Sequence, residues 1–166
     1  IHYWKGIVYE RMGMVDKDRR CFELATKGQS QPVPALFYND PQPDMIFYQG
    51  LAWRKSGREE KASAIFQQLI DFGEAHMNDE AMIDYFAVSL PDLLVFDADL
   101  DKRNKIHCFY MMGLGYMGKG NGSRERAEAL FERVLSMDVN HQGAQVHLRM
   151  LRNQIIDLQK NNIINR

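Results

Sequence analysis

Residues able to do chemistry are scattered through this chain, and few stand at working spacings. Asp97, Asp99 and Asp101 alternate as the first ligands of a calcium loop do. Such a loop needs Gly at its sixth position and a bidentate Glu at its twelfth. Lys102 and Cys108 occupy those places, so "DADLDKRNK" reads as a capped, solvated turn. His2, His76, His107, His141 and His147 include no i, i+4 pair and no H-E-x-x-H, which disfavours a helical zinc site. Cys21 and Cys108 are too far apart for a C-x-x-C pair and sit among apolar neighbours, where buried free thiols are expected. "GLGYMGKGNG" is glycine-rich but lacks G-x-x-x-x-G-K-[ST] and follows a helical pattern. Ser56, Ser63, Ser89 and Ser123 have no nucleophile-elbow context. The sequence thus offers no catalytic set, no metal site and no cofactor motif, and the chain is expected not to be an enzyme.

Composition narrows the classes further. The 166 residues are 45% hydrophobic, enough for a sizeable core. The net charge of −1 argues against nucleic acid or an anionic membrane as the main partner. No apolar run is long enough to span a bilayer. Charge is nonetheless divided: Ala62 to Asp101 holds nine acids and no Lys or Arg, while the remainder is basic. Folding that brings the two signs together is the plain expectation, and an acidic docking surface the sharper one. The start inside an apolar-periodic segment suggests a piece of a longer protein, and the free cysteines favour a cytoplasmic one.

Any function must therefore come from how elements are arranged, and the elements repeat. Gly6, Gly50 and Gly113 each have an aromatic three residues before (Tyr3, Phe47, Tyr110) and three after (Tyr9, Trp53, Tyr116). Seven residues on stand Gly13, Gly57 and Gly120, and then a charged amphipathic segment carrying Phe22, Phe66 or Phe131. Aromatics at i−3 and i+3 share one helix stripe, and a mid-helix glycine, which costs about 1 kcal/mol against Ala, marks close approach by another helix. The second glycine suits a left-handed helix stop. Each unit is a helical hairpin unable to cover its own apolar face, so the units must stack.

This pattern resembles the tetratricopeptide repeat (TPR), whose signature runs aromatic, Leu-Gly, Tyr, Gly, then Ala, Phe, Ala and Pro. Unit two carries Gly50, Trp53, Gly57, Ala62 and Phe66; unit three carries Gly113, Tyr116, Ala127 and Phe131. Unit one keeps Gly6, Tyr9, Gly13, Phe22 and Ala25 but has Asp18 where Ala is usual. The Leu before the glycine is replaced by Lys5, Gln49 and Met112, and the closing Pro is missing. The expectation is an all-α fold: an α-α superhelix of TPR-like hairpins (about 1–27, 44–76 and 105–138), with two insertions and a C-terminal capping helix at about 141–160. The first insertion, residues 27 to 44, holds four of the five prolines and should be an extended connector pinned by Leu36, Phe37 and Tyr38. The second, about 78–104, carries a helical pattern (Met82, Phe86, Leu90) broken by Pro91, with Asp97 or Asp99 capping the next helix. The capping helix should turn Val146, Leu148, Leu151, Ile155 and Leu158 inward. "LFYNDPQPDMIFYQGLA", "YFAVSLPDLLVFDADLDKRN" and "NHQGAQVHL" also resemble the C-terminal repeat region of large bacterial proteins bearing a domain of unknown function, which implies an accessory module.

In the repeat family the first helix of each hairpin lines the concave side. Carried over, Tyr3, Phe47 and Tyr110 align there, with Ile7, Leu51 and Leu114 a turn further on and Arg11, Arg54 and Lys55 as a basic rim. An aromatic row beside that rim could grip an extended peptide by stacking and a carboxylate clamp. Equally, those aromatics could fill the inter-repeat core. The functional expectation is a non-catalytic scaffold for a protein, a peptide or other domains of its parent. The alternative is an accessory domain shaping the active site of a carbohydrate-active or other enzyme, and an exposed N-terminal repeat face could also pair two copies.

Overall fold

A computed structural model describes residues 1–34, 42–80, 100–120 and 122–164, with side chains through Asn153. The described residues form seven α-helices and no strand: α1 (His2–Arg11), α2 (Val15–Ala25), α3 (Pro43–Lys55), α4 (Glu59–His76), α5 (Leu100–Lys119), α6 (Arg124–Met137) and α7 (Gln142–Ile164). The all-α expectation holds. Leu36–Tyr38, the helical pattern from Met82 to Leu90, Pro91, and the capping or calcium-like Asp97 and Asp99 lie outside the described residues.

Local chemistry sets the helix ends. Gln42 is extended and Pro43 follows at the start of α3, where a missing N–H costs nothing. Asp16 and Asp18 open α2, and Glu59 and Glu60 open α4, each placing negative charge at the positive helix end. Gly13, Gly57 and Gly120 carry φ of 69°, 72° and 76° in the three tight turns that close the hairpins. A residue with a Cβ is strained in that conformation.

The helices pair as α1/α2, α3/α4 and α5/α6, and each second helix also packs on the next first helix, with α6 meeting α7. First helices of successive hairpins touch as well. One joint recurs inside every hairpin. A Cβ placed on Gly6 would lie 2.6 Å from Phe22, on Gly50 2.6 Å from Phe66, and on Gly113 2.7 Å from Phe131. The glycine lets the aromatic edge sit against helix backbone, and Phe22, Phe66 and Phe131 are all buried. Ala62 and Ala127, one turn earlier on α4 and α6, are sealed too.

Helices α4 and α5 approach closely along their length. Gly115 lies against Ile70 and the Phe66 carbonyl, and Gly73 against Met112 and the Cys108 carbonyl. The α5 helix begins at Leu100, earlier than the expected unit boundary near 105. Its extra turn is held by Asn104, whose amide donates to the His76 carbonyl at the end of α4 (2.7 Å). The described part of the connector is tied by the buried Pro32, by His107 Nε2 to the Val33 carbonyl (2.9 Å) and by Gln68 to Gln31 (3.1 Å).

The α7 helix corrects one expectation. Ala144, His147, Leu148 and Leu151 face the core, whereas Val146 is exposed. Two residues of α-helix turn a side chain about 200°, so Val146 and Leu148 cannot share a face. The side chains of Ile155 and Leu158 lie outside the described residues.

Candidate functional site

The nine residues expected on the concave face do not share one environment. Phe47, Tyr110 and Leu114 are buried in the core, while Tyr3, Ile7 and Leu51 are half-buried and Arg11 is exposed. Arg54 is half-buried and engaged by its own chain. Its Nε and Nη2 donate to the Glu59 carboxylate, its Nη1 donates to the Gly118 carbonyl (2.7 Å), and its guanidinium lies over the Phe66 ring. Lys55 pairs with Glu10 (2.7 Å), joining α3 to α1. Both cations are thus paired with carboxylates of the chain itself.

Phe47 and Tyr110 both meet α7. His147, 2% exposed, inserts its ring among Phe47 (5.5 Å between centroids), Tyr110 (5.8 Å), Phe131 (6.1 Å) and Tyr48 (5.7 Å). Its Nδ1 faces the Gly143 carbonyl at 2.7 Å, which only accepts, so Nδ1 carries the proton. Nε2 is then an acceptor, and Tyr48 donates its hydroxyl to it at 3.0 Å. Tyr110 Oη lies 3.1 Å from Nδ1 and shares that proton. One imidazole thus ties α7 to α3 and α5.

Burial favours the neutral form of each member. It depresses the His147 imidazole below the ordinary 6.5, against an opposing pull from the Gly143 carbonyl and the Asp44 carboxylate. His141, whose ring lies 4.6 Å from Tyr110, is depressed by burial too. Tyr48 is pushed up to about 12 by burial and then by Asp44, with a hydrogen bond from Trp4 pulling the other way. Tyr110 is raised chiefly by burial. The cluster holds its protons and links three helices, so its chemistry is that of a pin between them.

A hollow of about 520 Å³ lies between the start of α1, the end of α2 and the start of α3. Tyr3, Trp4, Leu24, Met45 and Tyr48 supply apolar wall, Gln49 lines it too, and Lys27 and Asp44 stand beside it. The Tyr3 and Tyr48 rings stack at 5.3 Å, and Trp4 meets Tyr48 edge-on at 5.4 Å. Tyr48 is therefore shared: its ring faces the hollow, and its hydroxyl reaches His147.

The repeat pattern singles out Tyr3, expected on the concave face, and does not mark Trp4, Tyr48, Gln49 or His147 as site residues. The available signal was Gln49, a polar residue standing where the repeat pattern expects Leu. Among the described residues, no group of three or more His, Cys, Asp or Glu could hold a metal ion, and no helix is long and apolar enough to cross a membrane. Both cysteines are buried free thiols, and burial pushes Cys108 up to about 11. No protein-family model matches the chain, and no solved structure matches it.

Proposed function

We propose that the chain is a non-catalytic scaffold module, a TPR-like array of hairpins that binds a protein or peptide segment. The observation carrying this reading is the contrast along one inner surface. The same glycine–phenylalanine joint builds all three hairpins, yet among the described residues Phe47 and Tyr110 are buried whereas Tyr3 is half-buried and Trp4 is 45% exposed. Exposed aromatic walls of this kind are typical of binding surfaces. Selection of the immobilised protein against a displayed random-peptide library tests it. Enriched peptides that lose binding to a Tyr3→Ala/Trp4→Ala protein support the scaffold, and a library with no enriched sequence removes it.

Pairing of two copies through α1 is a further part of this reading. Val8 on that helix and Ile1 and Met12 at its two ends are exposed. Its equivalent in the third unit, α5, covers the same side with α4, where Gly115 stands at the place of Val8. Sedimentation of the protein and of Val8→Glu tests it: a dimer lost on substitution supports pairing, and a monomer at all concentrations ends it. The accessory-domain alternative rests on the acidic insertion, whose residues 81–99 lie outside the described residues. Turnover of the parent enzyme unchanged on deleting residues 79–101 would end that alternative.

A further inference from the structure

His141 and His147 both stand at the start of α7, and each seats that helix as a neutral ring. His141 is the N-cap. Its carbonyl accepts from the Gln145 N–H (3.1 Å), and its Nδ1 accepts from the Ala144 N–H (3.1 Å), the bond that a serine or aspartate cap usually supplies. An imidazole can cap in this way only with its proton on Nε2. A proton added at Nδ1 abolishes the cap, sets donor against donor and places a cation at the positive end of the helix. His147 takes the opposite tautomer: its Nδ1–H faces the Gly143 carbonyl and its Nε2 accepts from Tyr48. A proton added at Nε2 displaces the one that Tyr48 donates, and it leaves a cation among Phe47, Tyr110 and Phe131. Protonation thus undoes a contact of α7 at each ring.

We propose that α7 is an acid-released cover: when His141 and His147 take up protons, its segment from Gln142 to Leu151 detaches from α3, α5 and α6 while the three hairpins stay folded, baring Phe47, Tyr110 and Phe131. The α7 helix belongs to no hairpin, so its departure breaks no glycine–phenylalanine joint. Ala144, Leu148 and Leu151 hold it by apolar burial while both rings are neutral. The groups around the rings set the balance. His147 faces Tyr48 and the Asp44 carboxylate from α3, Tyr110 from α5 and His141 from α7 itself, with the uncharged Phe131 from α6. His141 faces Tyr110 and the Asp138 carboxylate after α6. Burial disfavours a charge on either ring and outweighs the pull of the two carboxylates, and two cations here would repel each other. Once α7 is free, both imidazoles meet water and regain the ordinary 6.5, so the released form binds more protons and gains as pH falls below that value. Release of α7 does not require that the chain bind a peptide, so its failure would leave the scaffold reading intact.

Native-state hydrogen exchange of the whole ¹⁵N-labelled protein, at about pH 7.5 and about pH 5, tests this with rates expressed as protection factors. Protection of the amides from Ala144 to Leu151 should fall at least about tenfold between the two, while Leu69 in α4 and Leu114 in α5 keep theirs within about twofold. In His141→Asn/His147→Gln the fall should be no more than about twofold, since Asn caps a helix and neither new side chain titrates. His2, His76 and His107 remain in that variant, so their titration is separated from the effect. Should the double variant not fold, His141→Asn alone decides, with a fall at least about threefold smaller than that of the natural protein. Unchanged α7 protection at the lower pH overturns the proposal. So does a loss shared equally by α4 and α5, which is global unfolding, or a loss that persists in full in the histidine variants.

Discussion

Tyr3 and Tyr110 stand three residues before equivalent glycines on equivalent helices, yet they do different work. Tyr110 is closed in by His147, His141 and Phe131, while Tyr3 stacks on Tyr48 at the edge of an open hollow. The hairpin beneath each is built the same way, with Gly6 on Phe22 and Gly113 on Phe131. Among the described residues the difference comes from outside the repeat: α7 sets His147 against Phe47 and Tyr48 of the second unit and Tyr110 and Phe131 of the third. A repeated motif therefore fixes the frame of a unit, and the neighbours it happens to have decide whether its aromatic face is core or surface.

The comparison breaks hardest at the helix contacts. Gly115→Ala should destabilise the protein by about 3 kcal/mol, because the new Cβ would lie 2.6 Å from the Phe66 carbonyl, and backbone yields poorly. Gly6→Ala should cost only about 1 kcal/mol, since the edge of one ring, Phe22, can shift beneath a hairpin with a free outer side. Urea unfolding of the two variants checks the ratio, and equal losses would mean that the first hairpin is as tightly held as the centre.

Next comes the pin. His147→Ala should cost about 2–3 kcal/mol, because it empties a buried site and strands the Tyr48 and Tyr110 hydroxyls. Trp4→Ala on the open side should cost less than about 1 kcal/mol. Thermal unfolding of the pair measures closed against open surface directly.

The same imidazole makes stability depend on pH. A histidine depressed in the folded state binds fewer protons there than in the unfolded chain. His147 and His141 thus contribute stability that is present above 6.5 and lost as pH falls through their folded values. Urea midpoints should fall on acidification below 6.5, and the slope should be shallower in His147→Gln. A flat midpoint across that range would mean that the cluster is open to water. The smallest effect concerns Cys108: raised to about 11 and buried, it should resist iodoacetamide at neutral pH until the protein is unfolded.

Much of the frame was legible in the sequence because its cause is local. Glycine followed seven residues later by glycine and then by a phenylalanine is a spacing, and the Gly50–Phe66 and Gly113–Phe131 joints follow from it. Val146 is hydrophobic yet stands about 200° around α7 from Leu148, so hydrophobicity alone does not place it on the inward face. The site was hardly legible. Tyr48, Tyr110 and His147 meet from three helices across separations of 37 and 99 residues, and nothing local marks that meeting. The histidines were weighed only as metal ligands, whereas His147 serves as a neutral hydrogen-bond bridge. The charges of Arg54 and Lys55 are visible in the sequence, whereas their pairing with Glu59 and Glu10 is not.

The central claim is that the first hairpin offers an open binding wall where the other two are sealed. A chemical-shift map of the labelled protein with its strongest library-selected peptide tests it most directly. Shifts concentrated at residues 1–4, 24–29 and 44–49, with Phe47 and Tyr110 responding only through their neighbours, are the predicted result. A map centred on Arg11, Arg54 and Lys55, or one that displaces His147 from between Tyr48 and Tyr110, would contradict it.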